Sequence, residues 1–548
     1  MPQLVFSCRP TGIHSLPIEL LSAIFILGFA FEDPYADSPF LLKPDQEYKP
    51  IPSSNFEVVV SHVSHHWRQV ALSTQSLWTT FHFRNPTHLS RAKAYLARCS
   101  TSTTSLLDVL VDTVSVENHV PGVTLYKDEL YSIFQVIIPH IRRWRTFHLK
   151  VSDNECKGVA RLFLGTCGGA QNLETLQLYH FEDYRTSQGL YLATYRPPVV
   201  IFGNNLPRLK NISLIGVNLP WENSPYIANL HNLELALHSE SVRPVYSWWD
   251  SMLRSSTELK SLCLYYSGPS LPTSDPARAW STPGNKIRLE KLRELNVTDL
   301  DSEYLCDLVE RLCLPNLKRL TLELPEQDYS PFMDLITGPS LQKPANDSTQ
   351  AQTTSEPNAA RPAPIAPLPS VFNLEILVIK ALECSWTSWA GFLQATQGLR
   401  VLEVDFARVG PAFWNVFTQP STPKSQTHIG RGISIKPLLL PRLQMFKLTG
   451  VSGEDIVSAL RYRYSLRREF TPKKQKWVVG WSERRRNRDG VLDTLIRRGF
   501  WMSDDEDAPD AAKVIIDNYE DFDDPGDEED DLDEDEDDYD GDGDFLVE

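Results

Sequence analysis

One short pattern limits what this chain can become. It is an apolar residue, two free positions, a second apolar residue, one free position and a third. It occurs as Trp144/Phe147/Leu149, Leu173/Leu176/Leu178, Leu209/Ile212/Leu214, Leu230/Leu233/Leu235, Leu259/Leu262/Leu264, Leu292/Leu295/Val297, Leu317/Leu320/Leu322, Leu374/Leu377/Ile379, Leu399/Leu402/Val404 and Leu443/Phe446/Leu448. The last two positions of each triplet alternate, as in a strand with one face buried. A single strand with two inward side chains cannot bury them. Recurrence along the chain implies that each unit stacks on its neighbours and that burial is shared between them.

The spacing is uneven, from 21 to 57 residues. With a turn residue or Pro opening most units, the pattern resembles irregular leucine-rich repeats. The resemblance implies an α/β solenoid with a parallel sheet, one strand per triplet, and a buried middle residue such as Leu320. The Asn that closes a regular repeat is mostly missing, so long and variable returns are expected. The register at Leu230/Leu233/Leu235 stays open, because Leu233/Leu235/Leu237 also alternates. Trp248-Trp249 with Met252 and Leu253, and Tyr304-Leu305 with Leu308, Val309 and Leu312, read as return helices. Residues 338–369 are rich in Pro, Ala, Ser, Thr, Gln and Asn and read as a disordered insertion. A helix from Gly453 to Arg468, a strand at Trp477-Val478-Val479 and a helix from Val491 to Arg498 are expected to close the end.

Upstream of the triplets, residues 78–83 and 106–111 alternate as strands. Residues 86–99 read as a helix with Leu89, Ala92, Leu96 and Ala97 on one face. Residues 128–140 read as a helix carrying Leu130, Ile133, Phe134, Ile137 and Ile138.

Residues 13–83 behave differently. A first helix opens at Leu16-Pro17-Ile18-Glu19-Leu20-Leu21, with Pro17 suited to a first turn and Glu19 near the positive end of the helix dipole. Leu20, Leu21, Ile24, Phe25 and Leu27 follow at helical spacing. Ser54-Asn55-Phe56-Glu57 has the form of a capping box for a second helix carrying Phe56, Val59, Val60, Val63, Trp67 and Val70. Two short amphipathic helices need each other and a further surface to bury their stripes.

The opening Leu16-Pro17-x-Glu19-Leu20-Leu21, the core Val63-(x)3-Trp67-Arg68 and the closing Leu77-Trp78 resemble, in that order, the F-box-like domain of fungal F-box proteins with leucine-rich repeats. Residues 29–54 depart from a compact F-box by inserting a Pro- and Asp-containing loop, which closure entropy tolerates. The resemblance implies a substrate-recognition adaptor of an SCF-type cullin-RING ubiquitin ligase, with no catalysis of its own. Its helical domain would dock a Skp-type adaptor protein, and through it a cullin, by way of Leu16, Pro17, Leu20, Leu21, Ile24, Val63 and Trp67. Some of these must instead hold the helices together, and sequence does not separate the two sets. The solenoid would present a protein substrate that the repeat pattern does not name. A leucine-rich-repeat scaffold outside any ligase is the alternative.

Composition narrows the remaining classes. No run of eighteen apolar residues exists, so no membrane-spanning helix is expected, and the first residues lack the form of a secretory signal. The eight cysteines are scattered without a Cys-x-x-Cys pair, as in reduced thiols of a cytoplasmic or nuclear protein. His62, His65 and His66 share a helix but lack a fixed third ligand, so neither metal nor cofactor is expected. No phosphate loop, dinucleotide fingerprint or nucleophile motif is present. The net charge of −17 is unevenly placed. Residues 503–548 hold 25 acids against Lys513, whereas residues 461–498 hold 13 Lys and Arg against four acids. The runs Lys473-Lys474-Gln475-Lys476 and Arg484-Arg485-Arg486-Asn487-Arg488 are candidate nucleic-acid patches. Nucleic acid is not the expected partner, because the adjoining acidic tail competes with phosphate. The expected organisation is a helical domain over 11–84, a solenoid over 85–470, a basic cap over 471–502 and a disordered acidic tail over 503–548.

Overall fold

Eleven helices are described. They are α1 (Ile18–Phe31), α2 (Phe56–His62), α3 (His65–Ser73), α4 (Thr87–Cys99), α5 (Lys127–Ile137), α6 (Asn154–Thr166), α7 (Tyr246–Ser255), α8 (Ser302–Glu310), α9 (Ser330–Thr337), α10 (Trp386–Ala395) and α11 (Pro411–Thr418). The strands begin with β1 (Thr80–Phe83), β2 (Leu107–Asp112), β3 (Trp144–Val151), β4 (Thr175–His180), β5 (Asn211–Ile215), β6 (Asn232–Ala236) and β7 (Ser261–Tyr265). They continue with β8 (Ile287–Arg288), β9 (Glu294–Thr298), β10 (Leu312–Cys313), β11 (Arg319–Asp328), β12 (Ile376–Glu383), β13 (Val401–Asp405), β14 (Met445–Thr449) and β15 (Val478–Ser482). The computed structural model describes residues 13, 16–31, 38–43, 55–99, 105–180, 198–272, 279–281, 285–338, 371–418, 439–449 and 478–482. The insertion beyond Gly338, the helices expected at 453–468 and 491–498, most of the basic segment 471–502 and the whole acidic tail 503–548 lie outside the described residues.

The chain is mixed α/β. Thirteen strands form one sheet in chain order, interrupted only because β8 and β10 pair with each other instead. Every pairing is parallel. The middle residues of the ten triplets stand in one row across the sheet, from Phe147 and Leu176 through Leu233, Leu262, Leu295 and Leu320 to Leu402 and Phe446. All thirty triplet residues are at most 5% exposed. Leu233 pairs with Ile212 and Leu262, which settles the open register for Leu230/Leu233/Leu235. The row extends two strands further upstream, to Val109 and Phe81. The first strand of the sheet therefore lies inside the span expected for the helical domain, and Trp78/Phe81/Phe83 has the triplet form itself.

A repeated strand ending replaces the missing Asn. Gly216, Leu237, Tyr266 and Asp299, each directly after its strand, adopt φ between 44° and 64°. Their N–H groups donate to Ala236, Tyr265, Thr298 and Glu323 of the next strand at 2.8–3.0 Å. A left-handed turn costs a non-glycine residue roughly 1–2 kcal/mol, and the added ladder bond offsets it. At Gly216 a Cβ would lie 2.1 Å from the His180 carbonyl oxygen, so no side chain fits there.

Most expected returns are helical. Trp249, Met252 and Leu253 are buried from α7, and Tyr304, Leu305, Leu308 and Val309 from α8. Two expectations are corrected in detail. On α4 the buried residues are Ala92, Tyr95, Leu96 and Cys99, while Ala97 is exposed. The helix expected through Val63 breaks in two. Ser64 is extended, and its hydroxyl accepts the Trp67 N–H at 3.2 Å, starting α3 afresh.

The opposite face of the sheet carries its own row: His82, Leu110, His148, Gln177, Ser213, Glu234, Cys263, Asn296 and Thr321. Residues 38–43, part of the loop inserted between α1 and α2, lie against this face. Leu42 packs with Leu110, Tyr179, Ile215, Ala236 and Leu237 in a second apolar cluster. His148 is fully buried there. Burial, then the nearby His82 and Lys43, lower its pKa to about 3, while the Pro39 carbonyl works the other way. His238, also buried, falls to about 4 through burial. Both folded values lie below the unfolded value near 6.5. The unfolded chain therefore binds more protons below that pH, and stability is lost as pH falls from about 6.5 toward 4. The expected loss is about 2 kcal/mol per histidine at pH 5. Denaturant titrations of the protein and of His148→Gln should show a shallower pH slope for the variant, and identical slopes would contradict this assignment.

Candidate protein-docking surface

α1 is almost wholly apolar, so its sequence does not say which side faces inward. The helix starts where the Pro17 carbonyl accepts the Leu21 N–H at 3.0 Å, a position in which the missing proline donor costs nothing. Leu21 and Phe25 face the core and are fully buried. Phe25 packs on Trp67 of α3 with ring centroids 5.0 Å apart, and the Ser22 and Thr74 hydroxyls meet at 2.7 Å. Gly28 lets Phe56 of α2 come close, since a Cβ there would lie 2.3 Å from the ring.

Ser22, Gly28 and Phe29 are half-buried, and most of the other α1 residues are turned outward. Ile18, Leu20, Ile24, Ile26, Leu27 and Phe31 are exposed, Leu20 at 54%, Leu27 at 61% and Phe31 at 90%. Val59 of α2 (61%) and Val63 beyond its end (50%) are exposed as well. The expected docking residues thus separate into two sets. Pro17, Leu20, Ile24 and Val63 are exposed. Leu21 belongs to the core, and Leu16 and Trp67 are half-buried, Trp67 spending its ring on Phe25. Ile18, Ile26, Leu27, Phe31 and Val59 are exposed apolar residues that the motif does not include. Counting every apolar position of α1, rather than those of the motif alone, would have found most of them.

A polar triad centred on the buried Glu57 ties α2 to α4. Glu57 does not close a capping box: Asn55 stands at the N-cap without a side-chain bond, and Glu57 turns inward. Its Oε1 accepts from Arg91 Nη2 and from the Tyr95 hydroxyl, both at 2.6 Å, and Arg91 Nε donates to the Tyr95 oxygen at 2.9 Å. A carboxylate buried between helices is better satisfied by a guanidinium and a phenol than by helix N–H groups already facing water. Burial and the bond to Glu57 push the Tyr95 phenol up. Nearby, Trp78 donates from Nε1 to the Ala71 carbonyl at 2.8 Å, and Arg98 stacks over its ring at 4.2 Å. Leu21, Phe25 and Val60 consequently belong to the same apolar core that runs through the sheet to Leu448.

Because Trp67 is only half-buried, Trp67→Ala should cost less than the about 3–5 kcal/mol of a fully buried aromatic. Urea unfolding of the full chain would measure it, and a loss above that range would place the ring deep in the core.

His62 and His65 are exposed and His66 is half-buried, and among the described residues no three His, Cys, Asp or Glu side chains are grouped to hold a metal ion. The described cysteines are free thiols, and no described helix is long and apolar enough to cross a membrane. No family model matches the chain, and no curated protein matches its sequence.

Proposed function

We propose that this chain is the substrate-recognition adaptor of an SCF-type cullin-RING ubiquitin ligase, its F-box-like helices docking a Skp-type adaptor and its leucine-rich-repeat solenoid holding a protein substrate. The observation that carries the reading is the set of exposed apolar residues Leu20, Ile24 and Leu27 on α1 and Val59 and Val63 on and beyond α2, helices whose other sides are already packed. So much apolar surface on one short layer is the mark of a protein interface. The order of the motif residues along the chain supports the Skp-type adaptor as the partner. In this reading the chain performs no bond chemistry. It raises the effective concentration of a bound substrate near the transferring enzyme. Co-expression with a Skp-type adaptor tests it: the two proteins should co-purify in equal amounts.

One observation favours a second reading. The same helices share a continuous core with the first strands, as a cap on a scaffold outside any ligase would need. A full chain that folds but never co-purifies with the adaptor would favour the scaffold.

A further inference from the structure

Residues 38–43 cross the sheet face opposite the triplet core, and their attachment has the form of peptide recognition. Gln177, fully buried on β4, addresses a single backbone unit from both sides: its Oε1 accepts the Leu42 N–H and its Nε2 donates to the Leu42 carbonyl, each at 2.9 Å. The amide is aimed by its neighbours. Nε2 also donates to Ser213 Oγ at 3.0 Å, and that hydroxyl donates to Glu234 Oε2 at 2.5 Å. This relay spans three strands and is itself buried, so it costs free energy unless the amide finds a partner. A primary amide that reads one N–H and one C=O recognises any extended backbone, and selectivity is left to the pocket beside it. There the Leu42 side chain packs in the apolar cluster with Leu110, Tyr179, Ile215, Ala236 and Leu237, with Leu41, Tyr265 and Tyr266 half-buried against it. Phe40, two positions earlier, is buried too, outside this cluster.

We propose that the sheet face around Gln177 is a recognition site for peptide segments that place an aliphatic side chain at the position of Leu42, and that residues 38–43 are its occupant in cis. A partner segment of that chemistry gains the site only by displacing them, so its apparent affinity is lowered by the fraction of chains in which the site is free. The inference goes beyond docking of α1 and α2 and does not depend on it, because it is read without any adaptor.

The probe is a fluorescein-labelled hexapeptide of sequence Ser-Pro-Phe-Leu-Leu-Lys, titrated into the full chain by fluorescence anisotropy. The unaltered chain should bind it weakly. The Leu42→Asp chain, whose own segment is expelled by a carboxylate in an apolar pocket, should bind it at least about tenfold more tightly. Adding Gln177→Leu to that variant should remove about tenfold or more of the gain. Equal binding by the unaltered and Leu42→Asp chains would overturn the proposal, as would tight binding that survives Gln177→Leu. Leu42→Ala serves as the milder variant. If both Leu42 variants lost cooperative unfolding, the segment would be part of the core rather than a ligand, and the proposal would equally fall.

Discussion

Leu320→Asp is expected to abolish cooperative folding of the middle of the sheet. Leu320 is 1% exposed and stands in register between Leu295 and Leu377, so a carboxylate there has neither water nor a partner charge. Removing the leucine side chain alone costs about 3–5 kcal/mol, and an unpaired buried charge adds several more. The total is of the order of the whole stability of a domain. The loss should spread to β9 and β12, because each strand buries its inward residues only against its neighbours. Thr321→Asp is the paired control. One residue along the strand the side chain points to the other face, where Thr321 is half-buried, and the change should cost about 1 kcal/mol or less. Native-state hydrogen exchange checks both. Protection over 317–322 should be high in the unaltered chain, retained in Thr321→Asp and lost in Leu320→Asp. Rapid exchange there in the unaltered chain would refute the stacked-strand account.

The sheet was legible in the sequence because its rule is local and repeats. Each triplet sets strand, register and buried face within six residues, and ten repetitions left little freedom. Trp78/Phe81/Phe83 escaped because Leu77-Trp78 also fits the end of the helical motif, so one tryptophan served two readings. The break at Ser64 was hidden because Val63, Trp67 and Val70 keep helical spacing across it, and spacing alone does not register an extended residue. Glu57 matched a capping box, but its partners, Arg91 and Tyr95, lie 34 and 38 residues away.

The docking set was legible in composition and not in detail. α1 has apolar residues all round, so periodicity could not assign Leu21 inward and Leu20 outward; the positions of Trp67 and Phe56 decide it. Least legible was the segment at 38–43. It reads as loop, and the residue that holds it, Gln177, is 135 positions away. Nothing within a short window marks Leu42 as a buried side chain.

The second large effect concerns the exposed apolar residues of α1 and α2. Leu20→Asp and Val59→Asp place charges on surface already in water, so thermal stability should change by about 0.5 kcal/mol or less. At an interface centre the same charges remove apolar contact and strand a carboxylate, costing about 2–4 kcal/mol each, or roughly 30- to 1,000-fold in affinity. Leu21→Ala should do the reverse. It should cost about 2–5 kcal/mol of stability through a cavity beneath α1, with far less effect on affinity in the fraction that stays folded. The most direct measurement is isothermal titration of a purified Skp-type adaptor into the full chain and into the Leu20→Asp and Val59→Asp double variant. The account predicts saturable one-to-one binding by the unaltered chain and none detectable by the double variant at the same melting temperature. Absence of binding by the folded, unaltered chain, or undiminished binding by the double variant, would contradict it.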